Sequence, residues 1–431
     1  MSGTRVGLVC GYLDPTRDGV ADYTRRLAVH LRSAGLDPVV VTTHDWARVS
    51  GEDAVGVTQR WDVSGVVSAA RAIRHMALDL VHVQFAPSVF GFSRAVGVLP
   101  RFLPRQIPLI VTLHEYGVWS SGTRGRGVRS ALWSAVERWG YAERETLLLA
   151  PRATCLLVPS AEHLTVLRSR LPRHAPPTLE VPIGLNVEIT AVDKAQARAE
   201  VRRALCATPD APLVVFFGFL HPEKELDQLI AAVAAVQVQL PGTQLMLIGG
   251  EESHSVPSSA AHELRRRLEQ IAASTGVQVH FTGYLPDPEV SRLLQAADVA
   301  AFPFSMGVTR KSSSLLAALA AGLPVVATAA PGERPASRES DGVFLVQPGD
   351  TAGLADALVQ VLGDPALADR LTTAGRARAA SHGWDAIAAA HAEVYARAEH
   401  SGRVSESWTG TAEPSSVVPS TSVEGNADVT A

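Results

Sequence analysis

Phe302–Thr328 reads FPFSMGVTRKSSSLLAALAAGLPVVAT, and the reading of this stretch decides the rest. An apolar run from Val299 to Phe304 enters it and has the look of a buried strand. A polar loop follows with Thr309, Arg310 and Lys311, and then Ser312, Ser313 and Ser314 lead into LLAALAA, a run of strong helix formers. Gly322 stops that helix, and Leu323–Thr328 is the next strand-like run. The unit is therefore strand, loop, helix, strand, with two cations and three hydroxyls at a helix N-terminus. Unpaired first-turn N–H groups and the positive end of the helix dipole favour an anion at such a place. A solvated loop with serine caps is the plainer reading of the same residues.

The alternation continues on both sides of this unit. Upstream of it in the second half, Leu213–Phe219, Leu245–Ile248 and Val277–Thr282 are strand candidates, and Val343–Val346 lies downstream. The first half offers Val6–Cys10, Val39–Thr43, Leu80–Phe85, Leu109–His114, Cys155–Pro159 and Leu179–Ile183. Short apolar runs alternating with helical patterns predict an α/β fold with parallel sheets covered on both faces. Between the halves, Gly184 to Asp193 has no period, Lys194–Cys206 is a polar helix pattern, and Pro209 to Pro212 is rich in turn formers. This break predicts a first Rossmann-like domain over 1–185 and a second over 186–383. Trp384–Ala398 is a final amphipathic helix, and residues 401–431 turn to Ser, Thr, Glu, Gly and Pro, the composition of a disordered tail.

Composition narrows the class. The 431 residues suffice for two or three domains with real cores. Charge is nearly balanced, 39 Lys and Arg against 43 Asp and Glu, so nothing draws the chain to nucleic acid. The three cysteines, Cys10, Cys155 and Cys206, form neither a metal pattern nor a disulfide framework, which points to a reducing cytoplasm. The opening run RVGLVCGYL lacks the pattern of a signal peptide, and no apolar stretch approaches the ~20 residues of a membrane span.

In open parallel sheets, ligands sit beyond the carboxyl ends of the strands, so the loops after the apolar runs are the candidates. The first holds Asp18, Gly19, Asp22 and Tyr23, where the glycine allows a tight turn or close approach to a ligand. His44, His82, Gln84, His114 and Glu115 fall at or just past strand ends. No two of these histidines have helical i, i+4 spacing, so no metal is expected. His114 is the histidine singled out for function, against the alternative of a satisfied structural histidine. In the second half, Gly218 follows a strand and Lys224 precedes ELDQLIAAVAAV. A lysine in a first helical turn opposes the dipole unless an anion is near. With Arg310 and Lys311 it makes three cations for one anionic group, and a diphosphate suits them.

At this point a resemblance is plain. PEKELDQLI from Pro222, FTGYLPDPEVSRLLQAADVAAFPF from Phe281 and AALAAGLPVVAT from Ala317 resemble the C-terminal half of family-4 glycosyltransferases of the GT-B fold. Gly19–Leu31, TLHE at Thr112–Glu115 and VPS at Val158–Ser160 are similar to the N-terminal half, so the match spans Val6 to Ala398. It implies two Rossmann-like domains facing across a cleft, with the final helix, 384–398, crossing back to the first. It implies a hexosyltransferase-type enzyme, retaining and metal-independent, with a nucleotide-sugar donor as co-substrate and no cofactor. The donor would lie on Gly19, Gly218, Lys224, Tyr284, Arg310, Lys311, Ser313, Ser314 and Leu315. His114 and Lys224 would be catalytic, and Asp18, Asp22, Tyr23, His44, Gln84 and Glu115 would lie toward a sugar, lipid or natural-product acceptor. The family's usual Glu, seven residues, Glu is absent, its places taken by Thr309 and Ala317, and TRKSSS resembles a subset with a basic, serine-rich loop there. The usual glycine after the lysine is Glu225, and Phe219 occupies the usual arginine position.

Other readings share these residues. A nucleotide-sugar epimerase has the same fold, and a non-catalytic partner subunit would explain the missing carboxylates. A lipid-acting enzyme docked at the cytoplasmic face of a membrane is a third, since Arg124, Arg126 and Arg129 lead to Leu132, Trp133, Val136, Trp139 and Tyr141. A domain helix with core aromatics is the plainer account of that segment. The Ala- and Arg-rich usage suggests a GC-rich bacterial gene.

Overall fold

The computed structural model describes residues 3–14, 16–50, 54–117, 133, 135–137, 139–171, 175–251, 258–308, 312–330 and 341–403. Thr309, Arg310, Lys311, Arg124, Arg126, Arg129, Leu132 and the tail beyond 403 lie outside these residues.

Two parallel sheets organise the chain. The first has seven strands: β1 (Arg5–Val9), β2 (Asp37–Thr43), β3 (Ala54–Thr58), β4 (Leu80–Phe85), β5 (Leu109–Leu113), β6 (Cys155–Val158) and β7 (Thr178–Glu180), in the order β3-β2-β1-β4-β5-β6-β7. The second has six: β8 (Leu213–Phe217), β9 (Gln244–Ile248), β10 (Val279–Phe281), β11 (Val299–Phe302), β12 (Val325–Thr328) and β13 (Val343–Val346), in the order β10-β9-β8-β11-β12-β13. Both are doubly wound. Strand order reverses between β1 and β4 in one sheet and between β8 and β11 in the other, and at such switch points a crevice opens. Helices cover both faces, which is why β4, β5, β8, β9 and β11 are buried along their whole length.

Several strands stop earlier than their apolar runs do. β8 ends at Phe217 because Gly218 takes φ +144 and turns the chain out of the sheet. β11 ends at Phe302, and Leu179–Ile183 yields only Thr178–Glu180 as strand. β3 has no counterpart among the expected strands. It is a half-exposed edge strand with Gly56 at its centre, where a Cβ would meet the His44 backbone at 2.6 Å.

The final helix, Trp384–Arg403, packs on the first domain, although it follows the second in sequence. Ile387, Ala388, Val394, Tyr395 and Ala398 are buried in the same core as β1, β4 and β5. Trp384 Nε1 donates to Leu185 O at 2.6 Å, and its ring lies over Gly184, so the two crossings between domains lie side by side. Trp139 and Tyr141 are exposed and are therefore not core aromatics. Among the described residues no helix is long and apolar enough to cross a membrane.

A buried ion group closes the base of the second sheet. Arg202 is 2% exposed and donates to Asp298 Oδ2, to Ala296 O and to Ala211 O. Arg198 pairs with the other oxygen of Asp298, and Leu213 N donates to Oδ2 at 2.7 Å. Asp298 thus joins the starts of β8 and β11 to the Lys194–Ala204 helix.

Candidate functional site

The loops after β1, β8 and β9 meet where the two sheets turn their carboxyl ends toward each other. In the first domain, Asp14 Oδ1 accepts from Thr16 N at 3.0 Å and Thr16 Oγ1 at 2.6 Å, which shapes the turn. Asp18 is the N-cap of the Gly19–Ser33 helix, with Oδ1 accepting from Val20 N and Ala21 N, while Ser88 Oγ donates to Oδ2. The structure therefore gives Asp18 a capping role. A Cβ built on Gly19 would meet nothing within 4 Å, so no protein atom requires glycine there, and the open space lies at a helix N-terminus.

Glycines line the facing side. Gly218 follows β8, Gly249 and Gly250 follow β9, and Gly283 follows β10, with φ +144, +139 and +69 at Gly218, Gly249 and Gly283. Gly218 N donates to Ile248 O, Leu220 N to Gly250 O and Gly249 N to Gly283 O, so the loops form one bonded floor. A Cβ on Gly250 would stand 3.5 Å from Thr16 O of the first domain, which shows how closely the two loops approach. Gly218 was anticipated, but Gly249, Gly250 and Gly283 were not. The signal was available, since Gly249-Gly250 directly ends an apolar run.

The opening stretch completes this side. The Ser313–Ala320 helix begins after Ser312, whose side chain makes no capping bond, so the expected serine cap is absent. Ser314 Oγ lies 3.1 Å from the Cβ position of Gly218, Ser313 is half-buried, and Leu315 and Ala317 are fully buried. Lys224 does not open the following helix. It ends a single 3-10 turn, Pro222–Lys224, and Leu226–Gln239 begins after Glu225 at φ +50, a left-handed conformation that glycine would adopt without strain. Lys224 Nζ lies 3.6 Å over the Phe304 ring, and Ser305 N donates to Glu223 O at 3.0 Å. Lys224 is thus held against Phe304, just past the end of β11.

A chain of buried polar groups runs beneath the first-domain side. His82 lies inside β4, with Nδ1 2.8 Å from Tyr395 Oη and Nε2 2.7 Å from Thr112 Oγ1. It is not at a strand end. It ties the final helix to the sheet, and burial holds its pKa well below the usual range. Gln84 is also fully buried, 3.2 Å from each ring nitrogen of His82 and 2.8 Å from His114 Nε2. His114, 8% exposed, stands at the end of this chain with its ring edge-on to Tyr23 at 4.8 Å. Tyr23 packs on Trp384 and lies 3.4 Å from His391 Nε2 through its hydroxyl, so it is a joint between helices rather than a surface phenol. Glu115 follows His114 and is half-buried, whereas His44 is exposed beside Gly56 of β3.

Asp22, Arg26 and Asp287 bridge the domains. Arg26 Nε donates to Asp22 Oδ2 at 2.9 Å, and its Nη2 donates to both oxygens of Asp287 and to Asn186 O. Burial raises the Asp22 pKa against the opposing pull of Arg26. Tyr284 is half-exposed above this bridge, its pKa raised first by burial and then by the carboxylates of Asp22 and Asp287.

The chain is similar to known proteins over both domains. Residues 211–364 match the family described as "Glycosyl transferases group 1", and residues 18–184 match "Glycosyl transferase 4-like domain". A D-inositol 3-phosphate glycosyltransferase of Streptomyces scabiei is 30% identical over 318 residues, 66% of this chain and 68% of the relative. The sucrose-phosphate synthase of Thermosynechococcus elongatus superposes with a TM-score of 0.68 at 22% identity, over 91% of this chain and 98% of that one. Anabaena HepE, solved in complex with UDP and glucose, superposes with a TM-score of 0.67 at 17% identity, over 91% and 100%.

Proposed function

The chain belongs to the family-4 glycosyltransferases of the GT-B fold, and on that premise we propose that it moves a sugar from a nucleoside-diphosphate sugar to a hydroxyl of a small molecule, glycan or lipid, with retention at the anomeric carbon. The observation that carries this reading is the glycine floor after β8, β9 and β10, opposed at close range by the Thr16–Gly19 loop. Bare backbone on the second-domain wall, with Gly19 opening onto empty space on the other, suits a flat, polar ligand, and the uncapped serine helix and Lys224 are the groups to meet its charge. HepE is described with UDP and glucose, and the Streptomyces relative is named for D-inositol 3-phosphate. The first description supports a nucleoside-diphosphate donor, and the second name supports a hydroxyl-bearing acceptor.

The steps follow from charge. When the acceptor oxygen attacks on the face from which the diphosphate leaves, the bond from the anomeric carbon to the phosphate oxygen breaks, and the departing phosphate takes the acceptor's proton. Negative charge grows on the leaving group, so fixed donors aimed there lower the barrier. Lys224, Arg310, Lys311 and the amides of Ser313–Leu315 are assigned that task. Protonation by the leaving group makes a carboxylate pair unnecessary, unlike glycoside hydrolysis, which suits Thr309 and Ala317 in place of glutamates. His114 is assigned to the sugar, Tyr284 to the nucleotide, and Asp22 and Glu115 to the acceptor side.

The test is calorimetric titration with UDP, ADP and GDP, each compared with its nucleoside and its sugar conjugate. At least one diphosphate should bind in the micromolar range and its nucleoside at least tenfold more weakly. Absence of binding to all of them at millimolar concentration would remove the donor assignment.

A further inference from the structure

Phe90, Gly91 and Phe92 lie in the loop after β4, and the chain turns one phenylalanine inward and the other outward. Phe90 is 1% exposed and packs edge-on to Trp61 at 5.1 Å, whereas Phe92 is 49% exposed. Gly91 takes φ +61 and Phe92 follows at φ +57, the one aromatic residue with a positive φ among the described residues. A bulky side chain there strains the backbone, and strain of this kind gathers at functional sites. Half of the Phe92 surface stays in water, so packing recovers only part of the cost. The turn is nevertheless fixed. Phe92 N donates to Pro87 O at 2.8 Å, Ser93 N to Phe90 O at 3.1 Å and Ser93 Oγ to Trp61 O at 2.6 Å.

This loop leaves the carboxyl end of β4 at the switch point of the first sheet, where ligands of such folds lie. Tyr12, in the loop after β1, donates from N to Val89 O at 2.8 Å, and a Cβ on Gly11 would meet the same oxygen at 2.0 Å, so the two loops touch backbone to backbone. The Tyr12 ring lies against Gly91, where a Cβ would stand 3.0 Å from its Oη and 3.2 Å from its Cε2. Ser88 Oγ donates to Asp18 Oδ2, the cap of the helix whose Gly19 opens onto empty space. Phe92, Tyr12 and the open side of Gly19 thus belong to one bonded unit. An acyl chain would need a continuous apolar groove, and Val89 and Phe90, the neighbouring apolar side chains, are fully buried. A single aromatic face with a phenol beside it suits a saccharide ring, which is apolar on its C–H face and hydroxylated at its rim.

We propose that Phe92, bounded by Tyr12, is an acceptor subsite that stacks on the C–H face of a saccharide ring and so selects a sugar-bearing acceptor. The role as acceptor rests on the reading of the chain as a nucleoside-diphosphate-sugar transferase; the binding of a saccharide at Phe92 does not. The left-handed turn at Gly91 and Phe92 is what holds the ring out of the core and toward that ligand.

Saturation-transfer NMR of the full chain, irradiated at its aromatic protons, reads the binding of methyl β-glucoside, methyl α-mannoside and cellobiose. At least one should receive saturation, mainly at the hydrogens of one ring face. Phe92→Gly should weaken that saccharide about fivefold, and Phe92→Trp should keep it. The two properties of Phe92 then separate, because Phe92→Gly should melt no lower than the wild type, glycine taking this φ without strain. Calorimetric affinities for UDP, ADP and GDP should be equal in wild type and Phe92→Gly. Absence of transfer to all three saccharides, undiminished binding in Phe92→Gly, or a melting temperature several degrees lower in that variant overturns the subsite. A matching loss of diphosphate affinity places Phe92 on the donor and overturns the acceptor role. Saccharide binding that depends on Phe92 in a wild type that takes no diphosphate leaves the subsite standing and removes the nucleoside-diphosphate donor instead.

Discussion

Replacing Gly249 with alanine should destabilise the second domain and spoil its cleft together. At φ +139 the backbone lies where L residues rarely go, at a cost of about 1–3 kcal/mol. The added Cβ would stand 2.2 Å from Gly218 O and 2.7 Å from the Gly218 carbonyl carbon, well inside the roughly 3.5–4 Å of carbon contacts. Neither loop can move aside freely, because Gly218 N donates to Ile248 O at 2.9 Å and Gly249 N to Gly283 O at 3.2 Å. Relief of the clash breaks at least one of these bonds, worth about 1 kcal/mol. The sum is about 2–4 kcal/mol, or roughly 5–15 °C in the melting temperature of a domain this size. Gly250→Ala is the control. Its Cβ would lie 3.3 Å from the edge of the Phe219 ring, which can swing away, so the cost should stay below about 1 kcal/mol. Scanning calorimetry gives the stabilities, and titration with UDP gives the affinity, which should fall at least tenfold for Gly249→Ala. A wild-type melting temperature for Gly249→Ala, or an equal loss in both variants, would refute the bonded-floor reasoning.

Three further outcomes are expected. Asp298→Ala strands the buried Arg202 charge and should cost about 3 kcal/mol by calorimetry, the low end for a broken buried pair, since the Ala211 and Ala296 carbonyls remain; adding Arg202→Met should recover part of the loss. Burial pushes the His391 pKa from 6.5 down to about 4 and lowers that of His82 as well, so the unfolded chain takes up protons that the folded one refuses. Stability is then fully present above pH 6.5 and is lost as pH falls toward 4, by on the order of 3 kcal/mol for His391 alone; urea midpoints across this range should be flatter for His391→Leu. Arg26→Met cuts the link to Asp287 and Asn186 and should broaden the solution-scattering distance distribution, with a stability change near 1 kcal/mol because the pair is partly solvated; an unchanged distribution would show that Arg26 does not set the domain arrangement.

Burial on both faces is what made the fold legible. β4 and β13 coincide with the runs Leu80–Phe85 and Val343–Val346, because helices above and below keep nearly every position out of water, the polar His82 and Gln84 of β4 included. β3 escaped notice for the converse reason, being an edge strand whose first three residues, Ala54 to Gly56, are partly or fully in water. Candidate site residues were legible by type and place, but not by orientation. His82 and His114 looked alike in sequence and both are buried, but His82 lies inside β4 between Tyr395 of the final helix and Thr112, whereas His114 stands just past β5 beside Tyr23. Arg26 and Asp287 carry no local sign of each other, being 261 residues apart. Lys224 was misplaced into a helix because the left-handed turn at Glu225 has no glycine to announce it. Thr309, Arg310 and Lys311, central to the sequence reading, lie outside the described residues.

The return of the last helix to the first domain bears on how the protein is made. β1 to β7 leave the ribosome early, but Ile387, Val394 and Tyr395, which cover them, are synthesised only after the whole second domain. At about 5–20 residues per second, the nascent first domain waits roughly 10–40 s with an apolar stripe uncovered and His82 short of one partner. The strands β8 to β13 have no such dependence, since they all lie between Leu213 and Val346 and share their own core. The half of the molecule that is translated first is therefore the last to be finished, and a chain cut before Trp384 would release it incomplete beside a second domain already folded.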